Sequence, residues 1–147
     1  MSDSDLVKLY SGRILALAAD IPHLGRLAAP SGTSRRRSPL CGSTVTVDLV
    51  MRDGRVADFA QDVKACALGQ ASASVLGAVV LGRSRAELES ARDALRAMLK
   101  EGGPVPAAPF HGYEVLTPAR EYKNRHASIL LAIEAACEAA AQAEAAA

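Results

Sequence analysis

The chain has 147 residues, of which 50% are hydrophobic and 22% charged, and its formal net charge is +1. This length fits one domain over residues 1–147 with a sizeable core. The charge balance argues against a nucleic-acid-binding protein. No apolar run approaches the roughly 18 to 20 residues of a membrane-spanning helix, and the acidic start is unlike a secretory signal. We therefore expect a cytoplasmic protein without a membrane partner.

The first half of the chain predicts one helix and a β-hairpin. Apolar residues recur at helical spacing from Leu6 to Ala19, after candidate capping residues at positions 3–5. Residues 28–39, with Pro, Gly, Ser and three consecutive arginines, are interpreted as a long exposed loop. Alternating β-branched residues then predict a hairpin near residues 44–65, with its turn at Asp53-Gly54.

The hairpin pattern also predicts how the two strands face each other. Apolar residues occupy the odd-numbered positions from Val45 to Met51, and Ala57, Phe59 and Val63 offer a matching face on the returning strand. Pairing odd with odd positions requires a bulge or a three-residue loop at the turn.

The second half of the chain predicts helices. Small residues over 67–81 indicate a tightly packed helix, and Ser84 with Glu87 forms a capping box before the next one. An ill-defined segment precedes Pro118, and a last helix should start between Ala119 and Asn124. Its Ala-rich tail, residues 138–147, has little to bury and is expected to fray. Grouped strands followed by grouped helices predict an α+β domain.

Two cysteines are candidates for metal or sulfur chemistry. Cys41 and Cys66 lie at equal distances in sequence from the Asp53-Gly54 turn, so the hairpin should bring their thiols close enough to share one metal ion. Cys66 is also predicted at a helix start, where backbone N–H groups favour a thiolate. The alternative is that both are small buried hydrophobes. His126 could be a third donor, or equally a solvent-facing or capping histidine.

Several segments resemble the U-type iron–sulfur cluster scaffold proteins, namely IscU, SufU and the N-terminal domain of NifU. The resemblance covers roughly residues 8–136. It is carried by Tyr10-Ser11, Ile21-Pro22-His23-Leu24-Gly25, Pro39-Leu40-Cys41-Gly42-Ser43, Lys64-Ala65-Cys66-Ala67-Leu68-Gly69-Gln70-Ala71-Ser72-Ala73-Ser74 and Arg125-His126-Ala127-Ser128-Ile129-Leu130-Leu131.

The resemblance implies a SufE/NifU-like fold, with a small antiparallel sheet of about three strands against four or so helices. It implies a scaffold or carrier, not an enzyme, that binds iron or a transient [2Fe–2S] cluster, with zinc as another candidate ion. The implied partners are a cysteine desulfurase, which supplies sulfur, and apo iron–sulfur recipient proteins.

Two positions depart from the family pattern. Ser43 stands where the family has its site aspartate, and Ala127 where it has its third cysteine. The candidate ligands are thus Cys41, Cys66 and His126, so a four-donor site needs a further donor, for example from a homo-oligomer. Two alternatives remain: a metal-free interaction or regulatory module, and a thiol-dependent transferase with Cys66 as nucleophile and His126 as base.

Overall fold

The computed structural model describes residues 9–147, in which a three-stranded antiparallel sheet packs against helices. The order along the chain is α1 (Gly12–Ala19), β1 (Gly32–Arg37), β2 (Thr44–Arg52), β3 (Arg55–Lys64), α2 (Ala67–Val79), α3 (Arg85–Lys100), a 3₁₀ segment (Phe110–Glu121) and α4 (Lys123–Ala146). The strands lie in the order β1-β2-β3. This confirms the α+β fold with about three strands and the hairpin near residues 44–65.

The hairpin turn has the geometry that its sequence predicts. Asp53 and Gly54 both have positive φ, of 54° and 74°, as a two-residue type I′ turn requires. Leu49 pairs with Phe59, and a bulge between Val50 and Met51 then pairs Met51 with Val56. The predicted bulge is therefore confirmed.

The bulge changes the face of one predicted residue. Val56 is buried at 2% exposure, whereas Ala57 is exposed. The prediction that Ala57 belongs to the apolar face is wrong, because the bulge shifts the alternation of β3 by one residue.

Strand β1 is the largest departure from the sequence-based interpretation. The sequence predicts a loop over residues 32–37, but these residues pair with β2 from Gly32–Leu49 to Arg37–Thr44. The face of β1 toward α4 carries Gly32, Ser34 and Arg36 instead of apolar side chains. Arg36 lies beneath α4 and forms ion pairs with Glu134 and Glu138 of that helix. A strand whose inner face is polar lacks the alternation that identifies strands in a sequence.

Helix α4 is the element around which the core is built. It contacts β1 and β2 on one side and α2 and α3 on the other. In its tail, Ala139, Ala140 and Ala143 are buried. The expectation that the tail has little to bury is wrong, because small side chains let the helix approach β1 closely.

The other helices largely follow their sequence signals. Ser84 and Glu87 form the predicted capping box of α3. Helix α1, Gly12–Ala19 with Ser11 as its N-cap, confirms the later part of the predicted first helix, and the predicted start at Leu6 lies outside the described residues. The candidate caps at positions 3–5 lie outside the described residues. In the described part of the chain, no helix has the length and apolar character needed to cross a membrane.

Candidate functional site

The loop of residues 38–43, between β1 and β2, carries Cys41 at one end of the sheet. The Ser38 backbone N–H donates to the Ser43 carbonyl at 2.8 Å, and the Gly42 N–H donates to the Ser38 carbonyl at 2.9 Å. Gly42 has a φ of 71°, in the left-handed region that glycine adopts without strain. The turn leaves the Cys41 thiol exposed.

Cys66 lies at the same end of the sheet, as the N-cap residue of α2. Its side chain is half-buried, and its Sγ is 3.4 Å from Ser128 Oγ on the first turns of α4. Gly69 makes this approach possible, since a Cβ at that position would lie 2.6 Å from Ser128 Oγ. The predicted position of Cys66 at a helix start is confirmed.

Two serine hydroxyls join the two thiols. Cys41 Sγ is 3.1 Å from Ser43 Oγ, and Ser128 Oγ donates to Ser43 Oγ at 3.1 Å. Ser128 then contacts Cys66, so a chain of polar atoms runs from one thiol to the other. Ser43 and Ser128 are buried, at 4% and 1% exposure. The hairpin, the loop and α4 thus bring the two cysteines to one cluster, here called the thiol–hydroxyl cluster (Ser38, Cys41, Ser43, Cys66 and Ser128).

The hydroxyls favour the ionised form of Cys41. Hydrogen bonds with the hydroxyls of Ser38, 3.3 Å away, and of Ser43 lower the pKa of the Cys41 thiol from its ordinary value to about 7, against an opposing effect of burial. An exposed thiol with this pKa is about half thiolate at neutral pH. The thiolate is the form that binds metals and attacks sulfur.

The structure places His126 apart from the hydroxyl chain. The side chain is buried at 3% exposure, and its Nε2 lies 2.9 Å from the Ala119 carbonyl oxygen. Among residues 9–147, no three His, Cys, Asp or Glu side chains are placed to hold one metal ion. Cys41, Cys66 and His126 as a three-donor set therefore stay a prediction.

The geometry also bears on a thiol enzyme. That mechanism needs Cys66 and His126 within hydrogen-bond reach, or joined by one water. Cys66 instead contacts Ser128, and His126 contacts Ala119.

Cys137 differs from the other two cysteines. It is buried in the core at 4% exposure, and burial raises the pKa of its thiol to about 12. It is a packing residue, as expected from its distance along α4 from the site.

Sequence reasoning missed the roles of two serines. The sequence assigns no role to Ser38, and Ser128 stands in it only as one position of the Arg125–Leu131 motif. Ser128 lies 85 residues from Ser43 in the sequence, so no local sequence pattern predicts the contact between them. The one available signal was the concentration of serine around the two motifs that contain cysteine.

The chain matches the family model described as "NifU-like N terminal domain" over residues 9–128. No functionally curated protein matches it. Among solved structures, it is 48% identical to the crystal structure of a nitrogen-fixing NifU-like protein (N-terminal) from Brucella abortus, with a TM-score of 0.93 over 96% of this chain and 98% of that one.

Two other solved structures share the fold at lower identity. One is a hypothetical protein, 23% identical, with a TM-score of 0.81 over 92% of this chain and 98% of that one. The other is a putative iron–sulfur cluster assembly scaffold protein for the SUF system from Fervidobacterium islandicum. It is 18% identical, with a TM-score of 0.77 over 88% of this chain and 94% of that one. At these identities the likeness concerns the fold alone.

Proposed function

The chain belongs to the NifU-like N-terminal domain family, and from that premise we propose that it is an iron–sulfur cluster assembly scaffold or carrier rather than an enzyme. The observation that carries this proposal is the thiol–hydroxyl cluster. Cys41 and Cys66 meet there through two serines, and the Cys41 thiol is both exposed and readily ionised. Two thiolates at one exposed end of a sheet suit a soft metal or a small cluster.

The cargo we propose is iron or a transient [2Fe–2S] cluster, held through Cys41 and Cys66, with zinc as a further candidate. Sulfur would come from a cysteine desulfurase, and the cluster would pass to apo iron–sulfur proteins. Tetrahedral sites need four donors. We propose His126 as the third donor through Nδ1, because its Nε2 lies against the Ala119 carbonyl, a contact common for the second ring nitrogen of a metal-binding histidine. A donor from outside the chain, such as a second copy, would complete the set.

A second candidate function is a metal-free interaction or regulatory module of the same assembly machinery. It is favoured by the same serines, because Ser43 and Ser128 already give hydrogen-bond partners to both thiols. In addition, Ser43 is a far poorer metal ligand than a carboxylate, and Ala127 cannot ligate at all.

Anaerobic reconstitution with iron and sulfide separates the two candidates. We expect the full chain to retain iron and labile sulfide, and Cys41→Ala and Cys66→Ala each to lose both. Cys137→Ala is the matched control, because it removes a thiol that is buried in the core, and it should load like the wild type. Absence of bound iron and sulfide from the wild type would contradict the scaffold function and leave the metal-free module.

A gain-of-function variant makes the same test sharper. The double variant Ser43→Asp, Ala127→Cys restores the two donors that the family has at these positions. If the site is a weakened scaffold, this variant should hold more iron per chain, and hold it longer against a chelator, than the wild type. If the double variant binds no more iron than the wild type, the number of donor groups does not limit iron binding at this site.

A further inference from the structure

A groove on the outer face of the sheet lies apart from the thiol–hydroxyl cluster. This face carries alternate residues of each strand and points away from α4. The groove has a volume of about 370 Å³, and its lining residues are charged or are threonines. Three cations, Arg26, Arg35 and Lys64, line it together with one carboxylate, Asp62.

The cations of the groove are not neutralised equally. Arg26 is bound to the buried carboxylate of Asp48, and Asp62 is close enough to Arg26 to interact with it electrostatically. In the described part of the chain, Arg35 and Lys64 have no carboxylate within 4.0 Å, and the same holds for Arg37, one step further along β1. The groove and its rim therefore present positive charge that residues 9–147 leave unpaired.

The floor of the groove contains an unused hydrogen-bonding group. Thr46 is only 9% exposed, it lines the groove, and its hydroxyl has no partner among residues 9–147. It stands between Arg35 and Asp62 in the strand pairing. Beside the free cation of Arg35, this hydroxyl can donate a hydrogen bond to an acidic group that binds in the groove.

The spacing of the cations fits an extended chain better than a small ion. Arg35 and Arg37 are two residues apart on one strand, which places them about 7 Å from each other. Lys64 stands on the other edge strand, about 10 Å across the sheet. An extended peptide presents alternate side chains on one face at the same spacing of about 7 Å. Acidic residues at alternate positions would match the β1 arginines one to one.

We propose that this groove docks an extended acidic segment of a partner protein. The row Arg37–Thr44–Lys64 is the last rung of the sheet before both cysteines, since Ser38 follows Arg37 and Cys66 lies two residues after Lys64. A segment bound along β1 therefore ends beside the Cys41 loop. The docking requires no metal at the thiols.

The test uses the full chain and two labelled peptides of equal charge, one with glutamate and serine alternating over eight residues, the other with its four glutamates consecutive. At low salt the alternating peptide should bind more tightly. Charge reversal by Arg35→Glu or Lys64→Glu should lower the affinity for the alternating peptide by about tenfold. Thr46→Val should lower this affinity by a smaller factor. Binding should fall as salt is raised.

Arg52→Glu is the matched control, because Arg52 is exposed at the opposite end of β2 and the substitution changes the net charge equally. It should change the affinity less than twofold. Equal weakening by Arg52→Glu and Arg35→Glu, equal affinity for the two peptides, or no binding by the folded wild type would each overturn the proposal. Iron and sulfide loading of Arg35→Glu should match the wild type, so failure of the scaffold function and failure of this docking site are distinguishable.

Discussion

The two ends of the contact between the sheet and α4 are held together in different ways. At the thiol end, Ser128 of α4 contacts Ser43 Oγ at 3.1 Å and Cys66 Sγ at 3.4 Å, just beyond the ends of β2 and β3. At the other end, Gly32 of β1 lies against the backbone of Ala139 and Ala143, where a Cβ would come within 2.9 Å of the Ala139 carbonyl carbon. One end is specified by polar chemistry and the other by the absence of a side chain.

This difference shows which substitutions each end can accept. A hydroxyl can be replaced at the thiol end without moving the backbone, so changes there should alter reactivity more than folding. At the Gly32 end no flexible side chain can give way, and any added atom must displace a strand or a helix. Stability should therefore depend on the packed end and chemistry on the polar end.

The largest expected effect is that of Gly32→Ala. The added methyl group meets the backbone of Ala139 and Ala143, so α4 must move away from β1. We expect a loss of about 3 kcal/mol in the free energy of unfolding, near the upper end of overpacking costs. Denaturant unfolding followed by circular dichroism measures it.

Gly12→Ala is the control for this prediction. Nothing lies within 4 Å of a Cβ at position 12, which is the first residue of α1. Gly12→Ala should not lower the free energy of unfolding and can raise it by up to about 1 kcal/mol, because alanine is the better helix former. A loss for Gly32→Ala no larger than the change for Gly12→Ala would show that α4 does not press on β1.

The Gly32 end also explains how far the sequence could predict the fold. The hairpin and the capping box of α3 were predictable because their signals are local: alternation, a turn dipeptide, and Ser84 three residues before Glu87. Strand β1 was not, because its inner residues are matched to a helix about a hundred residues later. Its Arg36 forms ion pairs with Glu134 and Glu138, and the sequence of β1 does not predict those partners.

The thiol end was predictable only in part for the same reason. Cys41 and Cys66 flank one hairpin, so counting residues from the turn predicted that they approach each other. The serines between them come from separate elements, and Ser128 reaches the cluster only because Gly69 admits α4. The charge state of Cys41 depends on those hydroxyls and could not be derived from spacing.

A second prediction concerns Asp48, a buried charge on the outer face of the sheet. Burial by itself raises the pKa of Asp48, but hydrogen bonds from Arg26, Thr33 and the Leu27 N–H outweigh it and lower the pKa below its ordinary value. A carboxyl whose pKa is lower in the folded state stabilises the fold at pH above its unfolded value. That contribution is lost as the pH falls through the folded value.

Asp48→Asn should therefore destabilise the protein by about 2 kcal/mol at pH 7, the scale for hydrogen bonds to a charged group. The difference from the wild type should shrink as the pH falls below about 4, the ordinary range of an aspartate. Thermal unfolding between pH 3 and pH 7 measures both. Asp53→Asn in the exposed turn is the control and should change stability little at any pH. A pH-independent loss for Asp48→Asn would mean that shape rather than charge matters there.

The smallest effect on stability, and the most informative for chemistry, is expected at Cys41. In a Cys66→Ala background, the rate of alkylation by iodoacetamide should rise with pH to a midpoint near the thiol pKa of about 7. Cys137 should not contribute, because burial both shields its thiol and raises its pKa to about 12. Ser38→Ala removes the hydroxyl with the largest effect and should move the midpoint upward, toward that of an ordinary thiol.

The same shift fixes the sign of a pH effect on folding. Because the folded pKa of Cys41 lies below the unfolded value, the fold gains stability as the pH rises through about 7 and keeps it above the ordinary thiol value. Ser38→Ala should reduce this gain while leaving the stability at pH 6 nearly unchanged. If Ser38→Ala instead lowered stability equally at pH 6 and pH 9, Ser38 would act on the loop and not on the thiolate. In that case packing would determine both ends of the contact between the sheet and α4, which would contradict the assignment of the thiol end to polar chemistry.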